Sequence, residues 1–134
     1  MKLITRSTDY AIRALAYLGS HKGAKASAVE LVRELKIPRP FLRRIMQESA
    51  KAGFVRSYRG IGGGFELAKR PSSIYVMDVI TAFQGPFSLN ECYLKRKLCP
   101  NTGACILKKK IDAIARHVTN EINAITLADL IKGA

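Results

Sequence analysis

The stretch from Ser27 to Leu67 limits the possible folds of this 134-residue chain more than any other part. Ser27-Ala28-Val29-Glu30 has the capping-box pattern, with a serine hydroxyl for the third amide and a glutamate able to reach back. Val29, Leu31, Val32 and Leu35 supply the apolar side of the helix it starts. Ile37-Pro38-Arg39-Pro40 stops that helix, because a residue before proline is pushed out of the helical region. Pro40 suits the first turn of a second helix, where its missing N–H costs little. In that helix Leu42, Ile45, Met46 and Ser49 fall on one stripe, while Arg39, Arg43, Arg44, Gln47 and Lys51 fall opposite. Gly53 suits the C-terminal cap.

Phe54-Val55-Arg56-Ser57-Tyr58 and Phe65-Glu66-Leu67-Ala68 then read as two short strands. They flank Arg59-Gly60-Ile61-Gly62-Gly63-Gly64, whose glycines permit positive φ and close approach to another surface. A phosphate-cradling loop would need a helix after it, and a second strand follows instead. The pattern is a winged helix-turn-helix: a mainly α fold with a small β-hairpin wing, the second helix suited to a DNA major groove. The expected DNA-facing residues are Ser27, Arg39, Pro40, Arg43, Arg44, Gln47, Arg59, Gly60, Gly62 and Gly63.

Charge supports a polyanionic partner. Lys and Arg number 23 against 10 Asp and Glu, a formal net charge of +13. The chain lacks any run of about 18 apolar residues, so no membrane span is expected. Met1 to Arg6 lack a signal-peptide apolar region, and a cytoplasmic location follows as the expectation. Three cysteines fit a reducing compartment better than a disulfide framework.

Elsewhere, a first helix is expected from about Thr5 to Leu18, with Ser7 or Thr8 as its cap and Ile12, Leu15, Ala16 and Leu18 on its apolar side. His21-Lys22-Gly23 reads as a loop and Lys69 to Ser73 as a turn. Val76, Met77, Val79, Ile80 and Phe83 outline a short helix ended by Gly85-Pro86. Leu107, Ile111, Ile114, Val118, Ile122 and Ile125 form a narrow heptad-type seam. Such a seam either packs back on its own domain or pairs with a second copy. The second is favoured, because a helix-turn-helix commonly reads two half-sites as a dimer. Thr126-Leu127-Ala128-Asp129 begins a brief last helix. The organisation is a winged helix-turn-helix over 1–84, a cysteine-containing loop over 85–104, and a dimerisation helix with its cap over 105–134.

Cys92, Cys99 and Cys105 lie near Lys95, Arg96, Lys97, Lys108 and Lys109. Positive neighbours favour thiolate, the metal-binding form, and thiolates select zinc, copper(I) or iron–sulfur clusters. The spacing lacks the paired C-x2-C of common zinc ribbons. Nothing forms a paired-carboxylate or nucleophile–base constellation, so an enzyme is not expected.

The Ser7-Thr8-Asp9-Tyr10 opening, Arg59-Gly60-x-Gly62-Gly63-Gly64, Ser72-Ser73-Ile74, the three cysteines and Thr126-Leu127-Ala128-Asp129-Leu130 together give a resemblance over nearly the whole chain. The chain resembles the winged-helix repressors that include the iron–sulfur assembly regulator IscR, the nitric-oxide sensor NsrR and the iron regulator RirA. The resemblance implies a homodimer with crossing long helices, and a [2Fe–2S] or [4Fe–4S] cluster on Cys92, Cys99 and Cys105. IscR-like members carry a histidine three residues past the last cysteine, where this chain has Lys108. NsrR-like members complete the cluster with a first-helix aspartate from the other subunit, and Asp9 matches that position. The other reading of Asp9 is ordinary helix-dipole electrostatics. The expectation is therefore a DNA-binding repressor responding to nitric oxide, redox state or iron and cluster status. The alternatives are a cluster-free thiol-redox regulator and a zinc-stabilised nucleic-acid-binding protein.

Overall fold

A computed structural model describes residues 3–20, 25–87 and 106–132. Helix α1 (Arg6–Ser20) leads to α2 (Ala28–Leu35) and α3 (Arg39–Lys51). Strands β1 (Val55–Tyr58) and β2 (Gly64–Leu67) form the hairpin, followed by a 3-10 turn (Pro71–Ser73) and α4 (Val76–Gln84). Helix α5 (Ile106–Asn123) and the short α6 (Leu127–Lys132) complete the described chain.

The cap of α1 is Thr5, rather than Ser7 or Thr8. Its hydroxyl accepts the Thr8 N–H at 3.3 Å, and its carbonyl accepts Asp9 N–H at 2.9 Å. Thr8 is instead fully buried, donating to Gln84 Oε1 at 2.8 Å. The buried side of α1 is Thr8, Ala11, Ala14, Leu15 and Leu18, with Ile12 and Ala16 only partly covered. Small residues occupy this face because α1 packs against α3, α4 and α6.

Ser27 caps α2 as expected, accepting Glu30 N–H at 3.1 Å. Val29 departs from expectation: it is 62% exposed, and Leu31 alone is fully buried on this helix. Eight residues make about two turns, so only a narrow stripe can face the core. Helix α2 ends at Leu35, with Lys36 in the left-handed region at φ 53°. That conformation costs a β-carbon-bearing residue about 1 kcal/mol or more. Lys36→Gly is therefore expected to stabilise the fold by up to about 1 kcal/mol, read as a higher urea midpoint with unchanged m. Pro40 lies in the first turn of α3. Leu42, Ile45, Met46 and Ser49 are the buried residues of that helix, as the periodicity predicts.

The strands run antiparallel, pairing Val55 with Leu67, Arg56 with Glu66, Ser57 with Phe65 and Tyr58 with Gly64. Ala26 adds a third chain to the edge, exchanging hydrogen bonds with Phe65 at 3.0 and 2.8 Å. That closeness needs Gly64, whose φ is 151° and whose added β-carbon would lie 2.5 Å from Ala26 O.

The predicted helical seam divides in the fold. Ile122 is buried against Val76 and Ile80, with Val118 and Ile125 packed alongside. Ile125 lies past the end of α5, and its carbonyl accepts the first amide of α4, Val76 N–H, at 3.0 Å. At the other end Ile106, Leu107 and Ile114 are 72%, 68% and 60% exposed. The start of α6 has a reciprocal cap between Thr126 and Asp129, at 2.9 and 3.3 Å. Donation from the Thr126 N–H, helped by the Thr126 hydroxyl, holds the Asp129 carboxyl below its usual pKa. Leu127 then enters the main core beside α1 and the 3-10 turn. No helix among the described residues is long and apolar enough to cross a membrane.

Candidate nucleic-acid interface

Burying Leu42, Ile45, Met46 and Ser49 forces the other side of α3 outward. Arg39, Pro40, Arg43, Arg44, Gln47 and Lys51 are all exposed. Arg39, Pro40, Arg43, Arg44 and Gln47 line a shallow depression of about 400 Å³. A second groove of about 580 Å³ runs between α3 and the wing, with Arg43, Gln47 and Lys51 on one wall and Ser57 and Arg59 on the other. Arg43 and Gln47 belong to both. Arg44 also borders a third depression, toward Ser7, Glu48 and Phe83.

Cations dominate these walls. Among the described residues, Arg39, Arg43, Arg44 and Arg59 have no carboxylate within ion-pair distance. Lys51 approaches Glu48 at 3.8 Å, with both side chains well exposed. Such a pair contributes well under 1 kcal/mol and leaves the ammonium able to meet another anion. Five donors in a fixed fork make each free guanidinium suited to a phosphate or a guanine edge.

The wing is braced by contacts that sequence reading missed. Tyr58 donates its hydroxyl to Glu66 across the strands, and Lys25 Nζ sits 3.8 Å above the Tyr58 ring. The carboxylate acceptor raises the Tyr58 hydroxyl above its usual pKa. Ser57, on the groove wall, was also missed. Its position opposite Phe65 is legible only once the strand register is known.

Ser27 is exposed, but its hydroxyl already serves the α2 amide. Gly60, Gly62 and Gly63 lie at the wing tip, where Gly63 N–H donates to Gly60 O at 3.0 Å. Asp9 lies on α1, lines neither basic groove, and pairs with Arg13 at 3.0 Å. Cys92, Cys99 and Cys105 lie outside the described residues. No group of three possible metal ligands occurs among the described ones.

Comparison with known proteins decides the family. Residues 4–133 match the Rrf2 family, described as iron-dependent transcriptional regulators. The chain belongs to the Rrf2 family. A protein of Aquifex aeolicus (strain VF5), described as an HTH-type transcriptional regulator, is 35% identical over 131 residues, covering 96% of this chain and 91% of that protein. Among solved structures, CymR, the global cysteine regulator of B. subtilis, matches with a TM-score of 0.83 at 22% identity, over 100% of this chain and 99% of its own. IscR of T. potens matches with a TM-score of 0.77 at 24% identity, over 99% of this chain and 88% of its own. These likenesses show the winged-helix fold. Membership of the Rrf2 family makes the chain a DNA-binding transcriptional regulator and not an enzyme.

Proposed function

We propose that a homodimer of this chain binds operator DNA, with α3 in the major groove and the wing against the adjacent backbone. The observation that carries this reading is the row of guanidinium groups from α3 to Arg59 that have no ion-pair partner among the described residues. Arg39, Arg43, Arg44 and Gln47 face the base edges and nearest phosphates. Arg59, Gly60, Gly62 and Gly63 let the wing approach the sugar-phosphate chain, and Ser27 and Pro40 sit where helix starts meet phosphate. The exposed Ile106, Leu107 and Ile114 supply the apolar face for the second copy.

We further propose that this binding is governed by an iron–sulfur cluster, [2Fe–2S] or [4Fe–4S], on Cys92, Cys99 and Cys105, with Asp9 of the other subunit as the remaining ligand. Support comes from the donor set and from Asp9. Three thiolates suit iron–sulfur ligation and leave one position for another donor. The Asp9 carboxylate is 46% exposed and held only by a surface pair with Arg13, a weak restraint. The rival position, Lys108, is an ammonium engaged with Asp112 at 2.8 Å. When bound, the cluster would supply iron reactive toward nitric oxide or oxidants, and Asp9, a carboxylate among thiolates, would be the more weakly held donor. A cytoplasmic repressor sensing nitric oxide or redox state is the resulting function.

The test is anaerobic purification of the wild type, Cys99→Ala and Asp9→Ala, with iron, sulfide, zinc and visible absorbance measured. The wild type is expected to be coloured and to hold iron and sulfide. Cys99→Ala is expected to lose them. Asp9→Ala is expected to keep a cluster with an altered spectrum and reaction with nitric oxide. An unchanged spectrum and rate in Asp9→Ala removes Asp9 from the ligand set. A colourless wild type, with or without zinc, replaces cluster sensing by one of the metal-free or zinc readings, and CymR, a cysteine regulator, has the same fold.

A further inference from the structure

Ile61 stands at the tip of the wing with its side chain entirely in solvent, at 109% relative exposure. Single exposed apolar residues are common on protein surfaces, so exposure by itself assigns nothing. Its setting adds more. Gly60 to Gly63 form a closed turn, with Gly63 N–H on Gly60 O at 3.0 Å and Gly62 at φ 77°, the pattern of a type II turn. Ile61 occupies the second corner and is the one side chain that turn presents. An added β-carbon at Gly63 would collide with the Tyr58 carbonyl, so the tip is narrow by construction. Its base is cationic and braced: Arg59 precedes the turn on the groove wall, and Lys25 is stacked on Tyr58, which is bonded to Glu66.

A slim basic hairpin ending in one aliphatic side chain matches the minor groove of duplex DNA. That groove is about 6 Å wide, and proteins entering it combine arginine with apolar wedges. We propose that Ile61 enters the minor groove beside the major-groove site of α3 and selects A·T over G·C pairs beneath the wing. The discrimination is chemical. Guanine places its N2 amino group on the minor-groove floor, and adenine and thymine place none there. An aliphatic side chain pressed against that floor leaves the amino group without water or an acceptor. A·T pairs offer a flatter floor on which the side chain can lie. The inference rests on the reading of α3 and the wing as the DNA interface, and extends it from backbone approach to sequence selection.

The test uses duplexes recovered by selection from a random library with the full-length protein. The base pairs under the wing are located by minor-groove footprinting, then changed to G·C or to inosine·C, which lacks the N2 amino group. For the wild type, G·C is expected to weaken binding about fivefold or more, and inosine·C to restore it. Ile61→Ser is expected to bind all three duplexes within about twofold of one another, with an unchanged urea midpoint. Equal wild-type affinity for the three duplexes, or discrimination retained in Ile61→Ser, overturns the proposal while leaving the α3 interface standing. Failure of the wild type to bind any selected duplex overturns both.

Discussion

Arg43→Ala is expected to lose about 1–3 kcal/mol of discrimination between its operator and a duplex altered at one base pair. Arg43 is the residue with the largest expected effect because it lines both basic depressions and meets no carboxylate among the described residues. A guanidinium so placed can bridge guanine O6 and N7 in a bidentate contact. Lys51 offers the contrast. It stands on the groove wall, loosely paired to Glu48, and suits a phosphate. Lys51→Ala should weaken all sequences alike and reduce the slope of log affinity against log salt by about one. Equilibrium titration of both variants against matched and altered duplexes, at several salt concentrations, separates the two roles. Arg43→Ala that keeps wild-type discrimination would move the reading residue elsewhere on α3.

Ile114→Glu is expected to convert the proposed dimer into well-folded monomers. Ile114 is 60% exposed, so the single chain tolerates a carboxylate there. In a paired seam the same carboxylate would be buried without a partner, at a cost of about 3–5 kcal/mol, or roughly two to three and a half orders of magnitude in dimer affinity. Sedimentation velocity reads the assembly and circular dichroism the fold. Ile122→Glu is the control: that residue packs against Val76 and Ile80 in its own chain, so the fold itself should suffer. A stable dimer of Ile114→Glu would place the interface on another surface. Loss of the dimer should also weaken operator binding, because two linked half-sites bind far more tightly than one.

The two seam positions also show where sequence reading stops. The spacing of Leu107, Ile111, Ile114, Val118, Ile122 and Ile125 is regular, yet the fold uses its two ends differently. Periodicity reports that a face is apolar and not what covers it. Helix α3 was legible because its thirteen residues give three and a half turns and its stripe is periodic. Helix α1 was less so, because Ala11, Ala14 and Thr8 fill its core face. Small residues mark close helix approach, which a hydrophobic pattern underweights. Thr5 was missed as the cap because its role depends on Gln84, which binds Thr5 N–H at 3.0 Å from the far end of α4. The wing was announced by its glycines. The bracing of Tyr58 by Lys25 and Glu66 exists only after the hairpin closes. In the candidate site, the basic face of α3 and Arg59 came from the sequence directly, whereas the groove joining them required the strand register.

The central claim is that α3 and the wing form one DNA-reading surface, used twice in a dimer. Hydroxyl-radical and major-groove footprinting of a selected duplex tests it most directly. The predicted result is two protected segments whose centres lie a whole number of helical turns apart, multiples of ~10 bp, each flanked by minor-groove protection from a wing. Both should fade together in Arg43→Ala. A single protected segment, or protection indifferent to Arg43, would contradict the account.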